Sequence, residues 1–165
     1  MINSYTWKFL PECLEGTWSI LDIGIGYGNI PYILQSNNKK ISVVGMDRPD
    51  SINTDKYVDI SDYKKTWMKM KWKVIQHDGN IFPWPFEDQS FDIVLSIYSI
   101  GYFKENLEQA LGEIFQIAKK IVLIINWDDH ADRKDMPGRF KAFQPKGWLQ
   151  VIDDFPTLKW KRQEI

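Results

Sequence analysis

The sequence predicts an α/β protein: a doubly wound, mostly parallel, Rossmann-like sheet of six or seven strands with helices on both faces. Three observations carry this prediction. Short apolar runs rich in β-branched residues recur at 19–23, 41–46, 72–76, 91–96 and 121–125. These runs are largely unbroken rather than alternating, as expected of strands covered on both faces. Helix-like stretches separate them, and strand–helix–strand units cross over right-handedly onto one sheet.

The elements follow in order. The first run is followed by Gly24, Gly26 and Gly28, after which a helix is expected over 29–36. Pro31 falls in its first turn, where a missing N–H costs nothing. The second run ends at Asp47, and a helix over 61–70 is expected to start from a Ser61 cap. The third run leads into His77-Asp78-Gly79-Asn80. The helix over 105–118 is the clearest, with Leu107, Leu111, Ile114, Phe115 and Ala118 on one face. Beyond the fifth run, residues 127–146 contain Asp128, Asp129, His130, Pro137, Gly138 and Pro145 and read as a long loop or lid. Residues 147–154 read as a helix and 157–165 as a closing strand.

A chain of 165 residues, 44% hydrophobic and 26% charged, fits one globular domain. We expect that domain to span 1–165, with its core over 19–125 and with 126–165 supplying a substrate-side loop and closing elements. The net charge of −1 gives no global attraction to nucleic acid or anionic lipid. Lys64, Lys65, Lys69, Lys71 and Lys73 read as a solvated face. Cys13 is the single cysteine, so no internal disulfide forms, and no metal-ligand spacing surrounds it. No leader pattern and no bilayer-length apolar run is seen, so a cytoplasmic location is expected. Eight tryptophans are unusual; they build a core or line a pocket for a flat ligand.

The segment Asp22-Ile-Gly24-Ile25-Gly26-Tyr-Gly28 joins a strand to a helix. Glycine admits positive φ and removes the side chain where a ligand must touch the backbone. In a doubly wound sheet such a turn lies at the carboxyl ends of the strands, where ligands bind. Asp47, nineteen residues after Gly28, is placed to accept both ribose hydroxyls of an adenosine. Asp78 can accept from the exocyclic amine of adenine while the next backbone N–H donates to the ring. Three strand tips would then grip one adenosyl ligand.

These residues resemble the class I S-adenosylmethionine-dependent methyltransferase family. Asp22 with its spaced glycines is similar to the family's first motif, Asp47 to its ribose-binding acid, and Asp78-Gly79 to its adenine-holding pair. The turn at 82–86 leading into Ser90-Phe91-Asp92-Ile93-Val94 is similar to the family's proline-rich turn and following strand. The resemblance covers roughly 20–125. It implies S-adenosyl-L-methionine as cofactor, with Asp22, Gly24, Ile25, Gly26, Gly28, Asp47, Arg48, Asp78, Gly79, Asn80, Ser96 and Ile97 around it. Asp22 would lie near the methionine amino group, Ile81 and Phe82 would flank the adenine, and 96–99 would lie beside the sulfonium. No metal is implied.

Because a sulfonium is already electrophilic, holding a nucleophile in line supplies much of the catalysis. A poor nucleophile also needs a base. Candidate catalytic residues are Tyr98, which can wall the transfer pocket, and His130, which is either a base or a solvated loop histidine. His77 reads as structural or cofactor-adjacent. Ser96-Ile97-Tyr98-Ser99 stands where an Asn-Pro-Pro-Tyr-like segment would mark methylation of base amines, and no Pro-Cys pair supplies a thiol for base-carbon methylation. A small molecule methylated on oxygen or nitrogen is therefore expected, with a protein or peptide as alternative acceptor. The stretch before the first strand leaves little cap over the substrate, and the tail looks short for the family's final antiparallel hairpin. Two other functions share these features. One is a non-catalytic binding or regulatory protein of the same fold. The other is a nicotinamide-dependent oxidoreductase, disfavoured because Asn29 stands where the dinucleotide pattern has its last glycine.

Overall fold

The computed structural model describes residues 8–52, 59–126 and 135–164. Its centre is one seven-stranded sheet. The strands are β1 (Trp18–Ile23), β2 (Ile41–Asp47), β3 (Lys73–Gln76), β4 (Phe91–Ile97), β5 (Ala118–Ile125), β6 (Trp148–Asp154) and β7 (Thr157–Arg162). The helices are α1 (Asn29–Asn37), α2 (Ile60–Met70), α3 (Leu107–Ile117) and α4 (Met136–Ala142). Short 3-10 turns lie at Pro11–Leu14 and Ile100–Asn106. The strand order is β3-β2-β1-β4-β5-β7-β6. The first five strands are parallel and β7 runs antiparallel to both neighbours.

The unbroken apolar runs divide between two cores. Leu21, Ile23, Val94, Val122 and Ile124 face α3 and α4, where Leu107, Leu111, Ile114, Met136 and Phe140 close the layer. Ile20, Ile93, Leu95, Ile121 and Leu123 face the other way, toward Leu10, Cys13, Leu34 and Trp67. Alternate residues of one strand thus serve opposite layers. The chain reverses direction between β1 and β4, since β2 and β3 lie on one side of β1 and the later strands on the other. That reversal opens a crevice at the carboxyl ends of the strands.

Several elements differ from the sequence expectation. Residues 147–154 form β6 and not a helix. Half-buried and exposed positions alternate along Trp148–Asp153, and its backbone pairs with β7. The final antiparallel hairpin is therefore present, and the sheet has seven strands. Part of the expected loop at 127–146 is α4, held to α3 by Arg139, which donates to both oxygens of Glu108 at 2.9 and 2.7 Å. Helix α2 is capped by Asp59, whose carboxylate accepts from the Ser61 N–H at 3.0 Å, and not by Ser61. Helix α3 ends at Ile117, because β5 begins at Ala118. His130, Asp128 and Asp129 lie outside the described residues. No helix among the described residues is long and apolar enough to cross a membrane.

Candidate functional site

The crevice holds a cavity of about 390 Å³. Its floor is the turn between β1 and α1. Gly24, Gly26 and Gly28 all have positive φ, at 70, 50 and 66°, a conformation costly for residues with a Cβ. The turn folds back because the Gly24 and Ile25 N–H groups both donate to the Met46 carbonyl, at 2.7 and 3.1 Å. A Cβ on Gly24 would overlap the Ser99 side chain, and one on Gly28 would overlap the Trp72 ring.

Two carboxylates reach this turn from adjacent strands. Asp47, at the end of β2, accepts from the Gly26 N–H through Oδ2 and from the Arg48 N–H through Oδ1, each at 2.8 Å. Burial pushes its carboxyl above the usual range, partly offset by those two backbone donors and by the Arg48 charge. Asp22 on β1 is 3% exposed, and its Oδ1 has no hydrogen-bond partner. Burial, with Asp47 beside it, pushes the Asp22 carboxyl well above its usual range. A buried polar atom lacking a partner is uncommon in a folded protein and marks a place where a donor belongs.

The third strand tip closes the opposite wall. The His77 N–H donates to the Asp47 carbonyl at 2.8 Å, and the next residues form a tight turn in which Asp78 accepts from the Asn80 N–H at 2.9 Å. Gly79 sits against Phe103 so closely that a Cβ would overlap its ring. Two tryptophans brace these loops from behind. The Trp67 indole donates to the Gly26 carbonyl at 2.7 Å, and the Trp84 indole donates to the Gly79 carbonyl at 2.9 Å.

The cavity wall brings together Asp22, Gly24, Ile25, Gly26, Asp47, Arg48, Asp78, Gly79, Asn80, Ile97 and Tyr98. Two of the expected residues stand behind the wall. Gly28 caps α1. Ser96 is fully buried, with its hydroxyl 2.7 Å from that of Ser99, which in turn donates to the Ile23 carbonyl. Neither Ile81 nor Phe82 lines the cavity: Ile81 is exposed and Phe82 stacks on Trp84. Among the described tryptophans none lines it. The aromatic wall is Tyr63, Tyr98, Tyr102 and Phe103. Tyr63, Tyr102 and Phe103 were missed, since they come from α2 and the Ile100–Asn106 turn, which carry no ligand motif. No group of three or more metal-ligating side chains occurs among the described residues.

Residues 20–120 match the family described as a methyltransferase domain. No curated protein matches the chain in sequence. Solved structures share its fold. A SAM-dependent methyltransferase from Aquifex aeolicus is 17% identical with a TM-score of 0.59, over 95% of this chain and 88% of that one. The YcgJ protein of Bacillus subtilis is 17% identical with a TM-score of 0.55, over 75% of this chain and 51% of that one. The plantazolicin methyltransferase BpumL, in complex with a pentazolic desmethylPZN analogue and SAH, is 19% identical with a TM-score of 0.56. That match covers 87% of this chain and 50% of BpumL. The chain thus spans about half the length of YcgJ and of BpumL.

Proposed function

The chain belongs to the methyltransferase-domain family, and we propose that it is a single-domain enzyme moving a methyl group to an oxygen or nitrogen of a small molecule. The cofactor is S-adenosyl-L-methionine, which supplies a sulfonium-bound methyl group already activated for displacement. The observation that carries this reading is the convergence of Asp22, Asp47 and Asp78, from three adjacent strand tips, on one cavity.

The residues fit the cofactor. The partnerless Oδ1 of Asp22 is suited to the cofactor's ammonium group. Asp47 keeps acceptor capacity beyond its two backbone donors, since an ionised carboxylate offers about four lone-pair sites, and these suit ribose hydroxyls. Asp78 and the backbone after it suit the edge of adenine, with Phe103 as apolar wall. Gly24 and Gly26 let the backbone approach the methionine portion, while Ile97 and the backbone at Tyr98 border the transfer region. The residues therefore bind and orient; no buried general base is required of the described part of the site.

Calorimetric titration tests the reading. S-adenosylhomocysteine (SAH), which lacks the transferable methyl group, is expected to bind one per chain, with no heat from NAD. Saturation by NAD alone would overturn the proposal. Methyl turnover on a panel of small alcohols and amines distinguishes an enzyme from a protein that only binds the cofactor.

A further inference from the structure

Tyr98 stands out in the backbone. Its φ of +57° lies in the left-handed region, which a bulky aromatic residue rarely adopts. Among the described residues, the other non-glycine ones there are Lys71, which caps the end of α2, and Gln89 in a surface turn. Tyr98 instead closes β4 at the cavity, its N–H tied to the Ile125 carbonyl at 2.7 Å. Held strain of this kind gathers at ligand clamps. Tyr98 is 41% exposed and lines the cavity, as does Tyr102, 54% exposed and four residues on.

The charge of the cavity is the second observation. Among the described residues, Asp22, Asp47 and Asp78 line it against one permanent cation, Arg48, whose guanidinium lies 5.7 Å from the Tyr63 ring. Bound S-adenosylmethionine brings a sulfonium, an ammonium and a carboxylate, hence one net positive charge. An ammonium beside Asp22 holds that carboxylate ionised. The described lining, with the cofactor bound, therefore keeps an excess of negative charge, which disfavours an anionic acceptor in a poorly screened cleft. Aromatic faces attract cations as well as flat rings.

We infer that the acceptor is an organic amine carried on a flat ring, held at the Tyr98 and Tyr102 rings, and not a carboxylate or phosphate ester; it docks as its ammonium and releases one proton to solvent, which reaches the exposed Tyr98 and Tyr102, before its nitrogen lone pair accepts the methyl group. This inference rests on the methyltransferase reading for the position of the cofactor and narrows its nucleophile to nitrogen. The tyrosine rings, rather than their hydroxyls, provide the recognition, so Tyr98 is a specificity-determining residue and not a base.

The test compares two probes of matched ring and opposite charge, phenethylamine and 3-phenylpropanoate. Each is titrated into the protein alone and into the protein saturated with SAH, following tyrosine ring signals by NMR. Phenethylamine is expected to bind at least tenfold more tightly than 3-phenylpropanoate in both. Tyr98→Phe is expected to retain phenethylamine affinity within twofold. Tyr98→Gly is expected to lose at least tenfold while its melting temperature rises, because glycine accepts the left-handed backbone without strain. Equal or tighter binding of 3-phenylpropanoate overturns the inference, as does unchanged phenethylamine affinity in Tyr98→Gly. Failure of SAH to bind, with the amine preference intact, would instead count against the cofactor reading alone.

Discussion

At the scale of single residues, the two buried aspartates do different work. Asp47 already accepts two backbone donors that shape the glycine turn, so replacing it removes a loop staple together with the carboxylate proposed to hold the ribose. Asp47→Ala is expected to weaken SAH binding by about 1–3 kcal/mol, read by calorimetry on protein whose circular dichroism is unchanged. Asp22 has no such structural role for Oδ1. Its raised carboxyl favours the protonated form in the folded protein. Its contribution to stability is therefore complete below the ordinary carboxylate range and is lost as pH rises through the raised value. Asp22→Asn should melt at a higher temperature than the parent near neutral pH without ligand, the gap closing as the pH is lowered toward 4. The same variant should bind SAH more weakly. A variant less stable than the parent at every pH would contradict this account. Both aspartates are legible in sequence because each lies at or one residue before the end of an apolar run that leads into a turn. The backbone strain at Tyr98 was not, since nothing in local composition distinguishes it from an ordinary strand-end tyrosine.

At the scale of elements, the glycine loops owe their shape to tryptophans distant in sequence. Trp67 reaches Gly26 from α2 across 41 positions, and Trp72 packs on Gly28 and donates to Gln35 of α1 at 2.9 Å. Trp67→Phe keeps an aromatic ring in the core, though a smaller one, and removes the donor to the Gly26 carbonyl. It is expected to cost about 0.5–1.5 kcal/mol in a urea melt and to weaken SAH binding several-fold. Unchanged SAH affinity with lowered stability would make the bond structural only. Periodicity revealed the five parallel strands and α3, because a two-faced buried strand and a one-faced helix leave plain patterns. It failed on β6, where Leu149 and Val151 are exposed at the sheet edge and the pairing register shifts between Gln150 and Ile152. An edge strand with outward apolar residues and a bulge carries no clean alternation to read.

At the scale of the whole molecule, the sheet is fastened to the beginning of the described chain by a buried cation. Lys159 of β7 is 4% exposed and donates to the Phe9 carbonyl at 2.7 Å and to both Glu12 oxygens at 2.9 Å. Burial alone would raise the Glu12 carboxyl, but bonds from Lys161 and Lys159 hold it below the usual range. That fastening is present above the ordinary glutamate range and is lost as pH falls through the lowered value. Lys159→Met is expected to destabilise the fold by about 2–3 kcal/mol at neutral pH, because Glu12 loses its buried partner but keeps Lys161. The loss should shrink under acid; a loss independent of pH would mean that packing, and not charge, holds the two segments. No motif announces this link, which joins residues 147 positions apart. The placement of β7 between β5 and β6 has a further consequence for a chain emerging from the ribosome. Until β7 is synthesised, β5 presents a bare backbone margin ready to accept a hairpin from a second nascent copy. Crowded refolding therefore invites exchanged dimers, in which each copy completes its neighbour's sheet.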